Sequence, residues 1–160
     1  MNLQMNLKDF LLPEFIKVNL KAEDKNEAFK ELVTHYCKTD NSPSFNKILD
    51  AIIKREEKMS TGIHKGIAIP HCQTDAVKKL CGALGISKKG VQYDSLDGEP
   101  VHLLFMFIFP IDDTQEHLLL LKRLAHLIEI PKFQTELQSQ KDSQSAFNVI
   151  CKFEDMLSGK

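Results

Sequence analysis

The sequence predicts an α/β fold in which helices cover both faces of a β-sheet. The segment from Val101 to Phe109 is a near-continuous apolar run, which is typical of a central strand buried on both sides. Amphipathic helical patterns precede Gly66 and follow Asp112, so they can supply the two covering layers. The 160 residues are 42% hydrophobic and 27% charged, an ordinary globular composition, with neither an internal repeat nor a long linker. We therefore expect a single domain over residues 1–160.

The first half of the chain is predicted to hold one strand and two helices. Residues Glu14 to Leu20 alternate apolar and polar side chains, as a strand does, and an acidic helix start follows at Glu23 and Asp24. Ser44 can cap the second helix. Each helix has an apolar stripe at helical spacing, namely Phe29, Leu32, Val33, Tyr36 and Cys37 in the first and Phe45, Ile48, Leu49, Ile52 and Ile53 in the second.

The second half is predicted to supply the rest of the sheet and two more helices. Besides the Val101 to Phe109 strand, Gly66 to Pro70 and Lys79 to Ser87 are interpreted as strands. Capping residues at positions 112–114 open a helix that stops near Pro131, and a last helix is expected at about Ser143 to Leu157. The apolar residues assigned to the core of these helices are Leu118 to Leu121, Leu124, Leu127 and Ile128, and then Ala146, Phe147, Ile150, Cys151 and Leu157.

Charge, hydropathy and cysteine usage exclude several classes of protein. The net charge of -1 gives no basic footprint, which argues against nucleic acid as a ligand. The longest apolar run, Leu103 to Ile111, is about half a membrane span, and the first ten residues lack a signal-peptide pattern, so we expect a cytoplasmic protein without membrane insertion. The four cysteines form no Cys-x-x-Cys pair and acidic residues form no cluster, so we expect reduced thiols, no metal and no cofactor.

The segment from Arg55 to His71 carries the strongest chemical signal. It joins an arginine, a loop with glycines and a histidine that follows a short apolar strand. A neutral imidazole is a nucleophile at pH 7, a guanidinium is a donor fork suited to phosphate, and glycine lets backbone N–H groups approach an anion. Arg55 continues the apolar stripe of its helix, so its side chain is expected to point inward. This set of residues predicts phosphoryl chemistry centred on His71.

Other interpretations of these residues remain open from the sequence alone. Arg55 could satisfy the carbonyl groups at the end of its helix and interact with the helix dipole. His117 lies on the stripe of its helix, where it could be a hydrogen-bonded core histidine or could offer an N–H to an anion. A histidine-based hydrolase is a further alternative, but the sequence has no Gly-x-Ser-x-Gly nucleophile elbow.

The motif resembles the active-site signature of the fructose/mannitol-type EIIA domains, type 2, of the bacterial phosphoenolpyruvate:sugar phosphotransferase system. The matching residues are Arg55-Glu56, Ser60-Thr61-Gly62-Ile63 and Gly66-Ile-Ala-Ile-Pro-His71, and the order of later segments, Asp97 to Val101 and Glu116 to Ala125, is also similar. The resemblance implies a three-layer α/β/α sandwich on a mixed central β-sheet. It also implies that the carrier protein HPr phosphorylates His71, and that Arg55 and His117 complete the site.

The loop between the arginine and the histidine is expected to support the phosphate through Thr61, Gly62 and His64. His64 departs from the family pattern, which has Gly-Ile-Gly at this point, and Lys65 beside it adds positive charge. Either His64 lies at the mouth of the site, where its protonation below about pH 6.5 would favour an incoming phosphate, or it is a loop residue without a role.

Two functions are compatible with the resemblance. The protein is interpreted first as a regulator of the nitrogen type, whose phosphorylation state decides which target protein it binds, because 160 residues leave no room for a fused EIIB or membrane domain. The alternative is a carrier for fructose/mannitol-type uptake that passes the phosphoryl group to an EIIB domain. In either case it would be a phosphotransferase component with a phosphohistidine intermediate.

Overall fold

The structure, a computed structural model, describes residues 5–62 and 65–159 of the chain. Two 3-10 turns near the start, Leu7–Asp9 and Pro13–Phe15, lead into the first strand. The strands are β1 (Ile16–Lys17), β2 (Ile67–Ala68), β3 (His71–Thr74), β4 (Cys81–Val91) and β5 (Val101–Pro110). The helices are α1 (Lys25–Asp40), α2 (Phe45–Lys58), α3 (Gln115–Glu129), α4 (Phe133–Gln138) and α5 (Ser143–Leu157).

The sheet is mixed and β5 lies at its centre. On one side β5 pairs antiparallel with β4, which in turn pairs parallel with β1. On the other side β5 pairs parallel with both β2 and β3. Ala68 lies opposite Leu104 and His71 lies opposite Phe107, so β2 and β3 keep one register along β5 and are separated only by Ile69 and Pro70. This interruption places His71 at the start of a strand.

Helices cover both faces of the sheet, which confirms the predicted α/β/α sandwich. Side chains of β5 alternate between two apolar layers, as expected of a strand buried on both sides. Phe105, Phe107 and Phe109 pack with residues of α3, α4 and α5, whereas Leu104, Met106 and Ile108 pack with α1 and α2. Every residue from Leu103 to Phe109 is fully buried. The apolar run that predicted a central strand therefore forms both halves of the core.

The helices predicted from periodicity are confirmed. Asp24 caps α1, since its carboxylate accepts a 2.9 Å hydrogen bond from the backbone N–H of Glu27. Ser44 stands at the N-cap position of α2 but makes no side-chain capping hydrogen bond. All five residues of the predicted α1 stripe are buried, and α5 spans the predicted residues.

Several local expectations were wrong. The opening strand is limited to Ile16–Lys17, and neither β3 nor α4 was predicted. Within the four-leucine run of α3, Leu120 is buried but Leu118 is 70% exposed. On α5 the fully buried positions include Ile150 and Phe153, while Phe147 and Cys151 are only partly buried. No helix in the described part of the chain is long and apolar enough to cross a membrane.

A buried ion pair connects the N-terminal segment to α3 and α5. The carboxylate of Glu154, 1% exposed, accepts hydrogen bonds from the backbone N–H groups of Leu7 and Lys8 and from Nε of Arg123 at 3.1 Å. The Arg123 guanidinium also donates from Nη2 to Asn6 Oδ1 at 2.9 Å and to Ser158 Oγ at 3.1 Å. Because Nε and Nη2 of Arg123 both have partners, the buried negative charge of Glu154 is compensated.

Candidate functional site

A cleft of about 660 Å³ lies between the C-terminal end of α2 and one face of α3. The cleft is lined by Arg55 from α2, His71 from the start of β3 and His117 from α3. Further along α3, Leu121 and Ile128 extend the lining with apolar side chains. The structure thus brings together the three residues that the sequence singled out for phosphoryl chemistry, although the first and the last of them are 62 positions apart along the chain.

His71 lies on the floor of the cleft, with 9% of its surface exposed. Its Nδ1 is 2.7 Å from the carbonyl oxygen of Ile69, and only a protonated ring nitrogen can donate to a carbonyl. In the neutral ring this hydrogen bond leaves the lone pair on Nε2. Burial lowers the pKa of His71 below its ordinary value, and the nearby charge of Arg55 lowers this pKa further. The imidazole is therefore neutral at pH 7, with Nε2 available as a nucleophile.

His117 approaches His71 from the first turn of α3. The two imidazole rings are 5.2 Å apart between centroids and nearly perpendicular. The ring of Phe109 is stacked on the His117 imidazole, with centroids 4.2 Å apart, and holds it in place. Desolvation and the charge of Arg55 lower the pKa of His117. A neutral His117 can offer one N–H to an anion bound in the cleft.

Arg55 bonds to the end of its own helix and also lines the cleft. Its Nη1 donates a 3.1 Å hydrogen bond to the carbonyl oxygen of Met59, the residue that ends α2. The guanidinium nevertheless lines the cleft and is close enough to His71 and His117 to lower the pKa of both. Toward residues 5–62 and 65–159 the guanidinium uses one of its five N–H donors, in the bond to Met59, so the other donors can bind an anion.

The loop after α2 packs against Glu56 and against the segment after β4. Thr61 lines the cleft, but its hydroxyl donates to the carboxylate of Glu56 at 2.6 Å. At Gly62 a Cβ atom would lie 2.6 Å from Ser95 Oγ and 2.9 Å from the Tyr93 ring, so glycine permits this loop to pack against the segment after β4. His64, the third residue expected to support a phosphate, lies outside the described residues. Support of a phosphate by these residues remains a prediction.

Glu56 was missed as a site residue although it stands beside Arg55 in the motif. Its side chain is buried, and its carboxylate contacts Thr61, Tyr93 and Lys25. The sequence signal that could have identified Glu56 is its position next to the motif arginine. A charged residue on a helix is, however, expected on the solvated face.

The cysteines are free thiols, and their surroundings make two of them poor nucleophiles. Burial raises the pKa of Cys72 to about 12 and that of Cys81 to about 11, so both remain protonated at pH 7. Within the described residues, no three His, Cys, Asp or Glu side chains come together in a way that could hold a metal ion.

Comparison with known proteins agrees with the fold. An α/β sandwich with a neutral histidine, an arginine and a second histidine in one cleft is suited to binding a small anion. The family model described as "Phosphoenolpyruvate-dependent sugar phosphotransferase system, EIIA 2" matches residues 9–152. The chain therefore belongs to the type-2 EIIA family of the phosphotransferase system.

The relatives include both sugar-transport and regulatory proteins. The chain is 34% identical over 146 residues to the PTS system fructose-specific EIIABC component of Bacillus subtilis, which covers 91% of the chain and 23% of that protein. It is 27% identical over 146 residues to a nitrogen regulatory protein of Bradyrhizobium diazoefficiens, covering 91% of the chain and 95% of the relative. The crystal structure of nitrogen regulatory protein IIA-Ntr from Neisseria meningitidis superimposes with a TM-score of 0.82 at 26% identity, covering 90% and 98% of the two chains.

Proposed function

We propose that this protein is a phosphohistidine carrier and regulator that accepts a phosphoryl group from an HPr-like protein on Nε2 of His71. The observation that carries the proposal is the state of this imidazole, which is neutral, holds its proton on Nδ1 and shares a cleft with Arg55 and His117. In the proposed cycle the phosphorylation state of the protein controls a target protein in the cytoplasm, and residues 1–160 act as one domain.

The transfer requires one bond to form and one to break. The Nε2 lone pair attacks the phosphorus of the donor phosphohistidine in line, a new N–P bond forms, and the donor imidazole leaves as the old N–P bond breaks. The Nδ1 proton of His71 stays in its hydrogen bond to Ile69 throughout. Arg55 and His117 then donate to the phosphoryl oxygens, which carry a charge of about -1.5 to -2 at pH 7.

The surface around the cleft suits a protein donor. Met59, Leu96 and Leu118 are exposed by 60 to 70%. Met59 lines the cleft, Leu118 follows His117, and the Leu96 N–H donates to the carbonyl of Gly62. Exposed apolar side chains grouped around a polar site are characteristic of a protein-binding surface. This arrangement supports transfer between proteins, in which the apolar rim would be covered only while the partner is bound.

Both the regulatory and the sugar-transport roles have support. The TM-score of 0.82 with nitrogen regulatory protein IIA-Ntr and the several relatives called nitrogen regulatory protein favour a regulator. The 34% identity to a fructose-specific EIIABC component favours the second candidate function, delivery to an EIIB domain in sugar uptake. Both use the same chemistry at His71 and differ in the protein that receives or senses the phosphoryl group.

The carrier proposal is tested by labelling. Wild-type protein and His71→Ala are incubated with phosphoenolpyruvate, enzyme I and HPr, and protein-bound phosphate is measured. We expect an acid-labile, base-stable label on the wild type and none on the variant. Label that persists on His71→Ala would contradict the proposal. Adding fructose-type and mannitol-type EIIB domains then separates the two functions, since rapid loss of label to an EIIB domain would favour sugar uptake over regulation.

A further inference from the structure

Glu56 places a buried carboxylate directly behind the cleft. The residue is 7% exposed, although it lies in the last turn of α2 among charged residues. Its Oε2 accepts a 2.8 Å hydrogen bond from the backbone N–H of Thr61 and lies 3.1 Å from Nζ of Lys25. Its Oε1 accepts from the hydroxyl of Thr61 at 2.6 Å and lies 3.4 Å from the hydroxyl of Tyr93. Both oxygens of the carboxylate are therefore surrounded by donors.

The pattern of donors fits an ionised carboxylate. The Tyr93 hydroxyl is also 2.8 Å from Thr61 Oγ1, so it can donate to that oxygen while Thr61 donates to Glu56. An amide at position 56 would have to turn its NH₂ group toward one of these donors. The negative charge is balanced by Lys25, whose ammonium also lies 4.9 Å from the centre of the Tyr93 ring.

Hydrogen bonds lead from this carboxylate to the nucleophile. Thr61 is fixed by Glu56 at both its N–H and its hydroxyl, and its carbonyl oxygen accepts a 3.0 Å hydrogen bond from the N–H of Ile69. The carbonyl of Ile69 accepts from Nδ1 of His71 at 2.7 Å, which is the bond that selects Nε2 as the reacting nitrogen. Hydrogen bonds of 2.6 to 3.0 Å, joined by the backbone of Thr61 and of Ile69, thus connect Glu56 to the imidazole.

Glu56 is also connected to the anion-binding arginine. Arg55 precedes it on α2 and donates to the carbonyl of Met59, which lies two residues before Thr61 in the same loop. Fixing Thr61 therefore fixes the segment that orients the guanidinium. The carboxylate thus connects Arg55 on α2, Thr61 in the loop after it and His71 at the start of β3.

We propose that Glu56 is a positioning residue for phosphoryl transfer, holding the Arg55 guanidinium and the His71 imidazole in their reactive orientations through Thr61. The inference rests on the proposed function, because it concerns the same transfer. Glu56 itself is not among the residues that line the cleft, so it would act without touching a phosphoryl group bound there. Loss of this support would lower the rate of transfer more than the binding of the donor, since donor binding depends on the surface around the cleft.

The chain offers a matched control for a buried carboxylate. Glu154 is also buried, at 1% exposure, and forms an ion pair with a basic side chain; it accepts two backbone N–H bonds, where Glu56 accepts one backbone N–H and one hydroxyl. It lies on α5 and does not line the cleft. Glu56→Gln and Glu154→Gln therefore make the same chemical change in similar surroundings, and only Glu56→Gln disturbs the segment that holds Arg55 and His71.

The test measures label transfer from phosphorylated HPr to each variant at several donor concentrations. We expect Glu56→Gln to lower the rate constant at saturating donor by about tenfold or more, because small displacements of reacting groups have effects of this size. The half-saturating donor concentration should not change, and Glu154→Gln should keep the wild-type rate even if its unfolding temperature falls. Equal rates for the two variants would overturn the inference, whereas absence of label on the wild type would contradict the proposed function itself.

Two further variants complete the design. If Glu56 acts through Arg55, the double variant Arg55→Lys, Glu56→Gln should be slowed much less than the product of the two single effects. Independent, multiplying effects would show that Glu56 does not act through Arg55 and would overturn that part of the inference. If Glu56→Gln does not fold, Tyr93→Phe removes one donor of the network and leaves the carboxylate in place. We then expect a slowing of a few-fold, and a wild-type rate would overturn the inference.

Discussion

Replacing Arg55 by lysine is expected to slow phosphoryl transfer while leaving the stability of the protein almost unchanged. The substitution keeps the positive charge but removes the planar fork of donors. In the structure the guanidinium lines the cleft beside His71 and His117, and among the described residues it uses one N–H group, in the bond to Met59. The donors that lysine cannot replace are therefore those that face the phosphoryl group.

The size of the effect follows from these contacts. A hydrogen bond to a charged group contributes about 1.5 to 3 kcal/mol. Losing one such bond in the transition state would slow transfer by about 10- to 150-fold. The bond from Arg55 to Met59 is partly exposed, so its loss should lower the free energy of unfolding by no more than about 1 kcal/mol.

Arg123 provides the opposite control. Arg123→Lys can keep the ion pair with Glu154, but it loses some of the bonds from Nη2 to Asn6 and Ser158. We expect a loss of about 2 kcal/mol in the free energy of unfolding, or about 4 to 8 °C in the unfolding temperature of a domain of this size. Its transfer rate should match the wild type, because Arg123 does not line the cleft.

The assay combines rapid-quench measurement of label transfer with thermal unfolding of both variants. The expected result is a slow but stable Arg55→Lys and a fast but less stable Arg123→Lys. A wild-type transfer rate for Arg55→Lys would refute the reasoning, because it would show that backbone groups and solvent stabilise the phosphoryl charge. Equal slowing in both variants would show instead that transfer follows general stability.

The remaining predictions concern two histidines of the motif, His64 and His71, and His117 on α3. His117→Ala removes a donor and the ring stacked on Phe109, so we expect transfer slowed about tenfold or more and a stability loss of about 1 kcal/mol, measured by the same assays. Because burial lowers the pKa of His71 and of His117, the unfolded state binds more protons just below about pH 6.5. The free energy of unfolding should therefore fall as the pH decreases from about 7 through 6.5 toward the lowered pKa values, and His71→Ala should reduce this dependence in denaturant titrations at several pH values. For His64→Gly, transfer rates that diverge from the wild type below about pH 6.5 and converge at high pH would indicate a role in the site, while parallel rates would indicate none.

The long elements could be predicted because their patterns repeat. The apolar run of β5 and the stripes of α1 and α2 are local patterns. They arise because an element buried on one face or on both faces needs apolar residues at regular spacing. The helix α4 has only six residues, too few for a periodic pattern to show. The strand β3 has little apolar alternation of its own and forms because it continues the register of β2 along β5. Pairing of this kind depends on a partner about 35 residues away, and a local pattern does not contain it.

The same contrast between local patterns and contacts with distant segments holds for single residues. Consecutive residues on a helix are about 100° apart, so four adjacent leucines cannot all face the core, and Leu118 points outward while Leu120 points inward. Arg55, His71 and His117 could be selected because each combines a chemical group with an inward position. Glu56 could not, because its partners Lys25 and Tyr93 come from segments that the sequence gives no reason to bring together.

The most direct test of the central claim locates the phosphoryl group on a single atom. After phosphorylation by HPr, protein with ¹⁵N-labelled histidine rings is examined by NMR for one-bond coupling between phosphorus and ring nitrogen. Because Nδ1 of His71 is held by the carbonyl of Ile69, the predicted result is a single coupled nitrogen, Nε2 of His71. Phosphorus attached to Nδ1 of His71, or to either nitrogen of His117, would contradict the account.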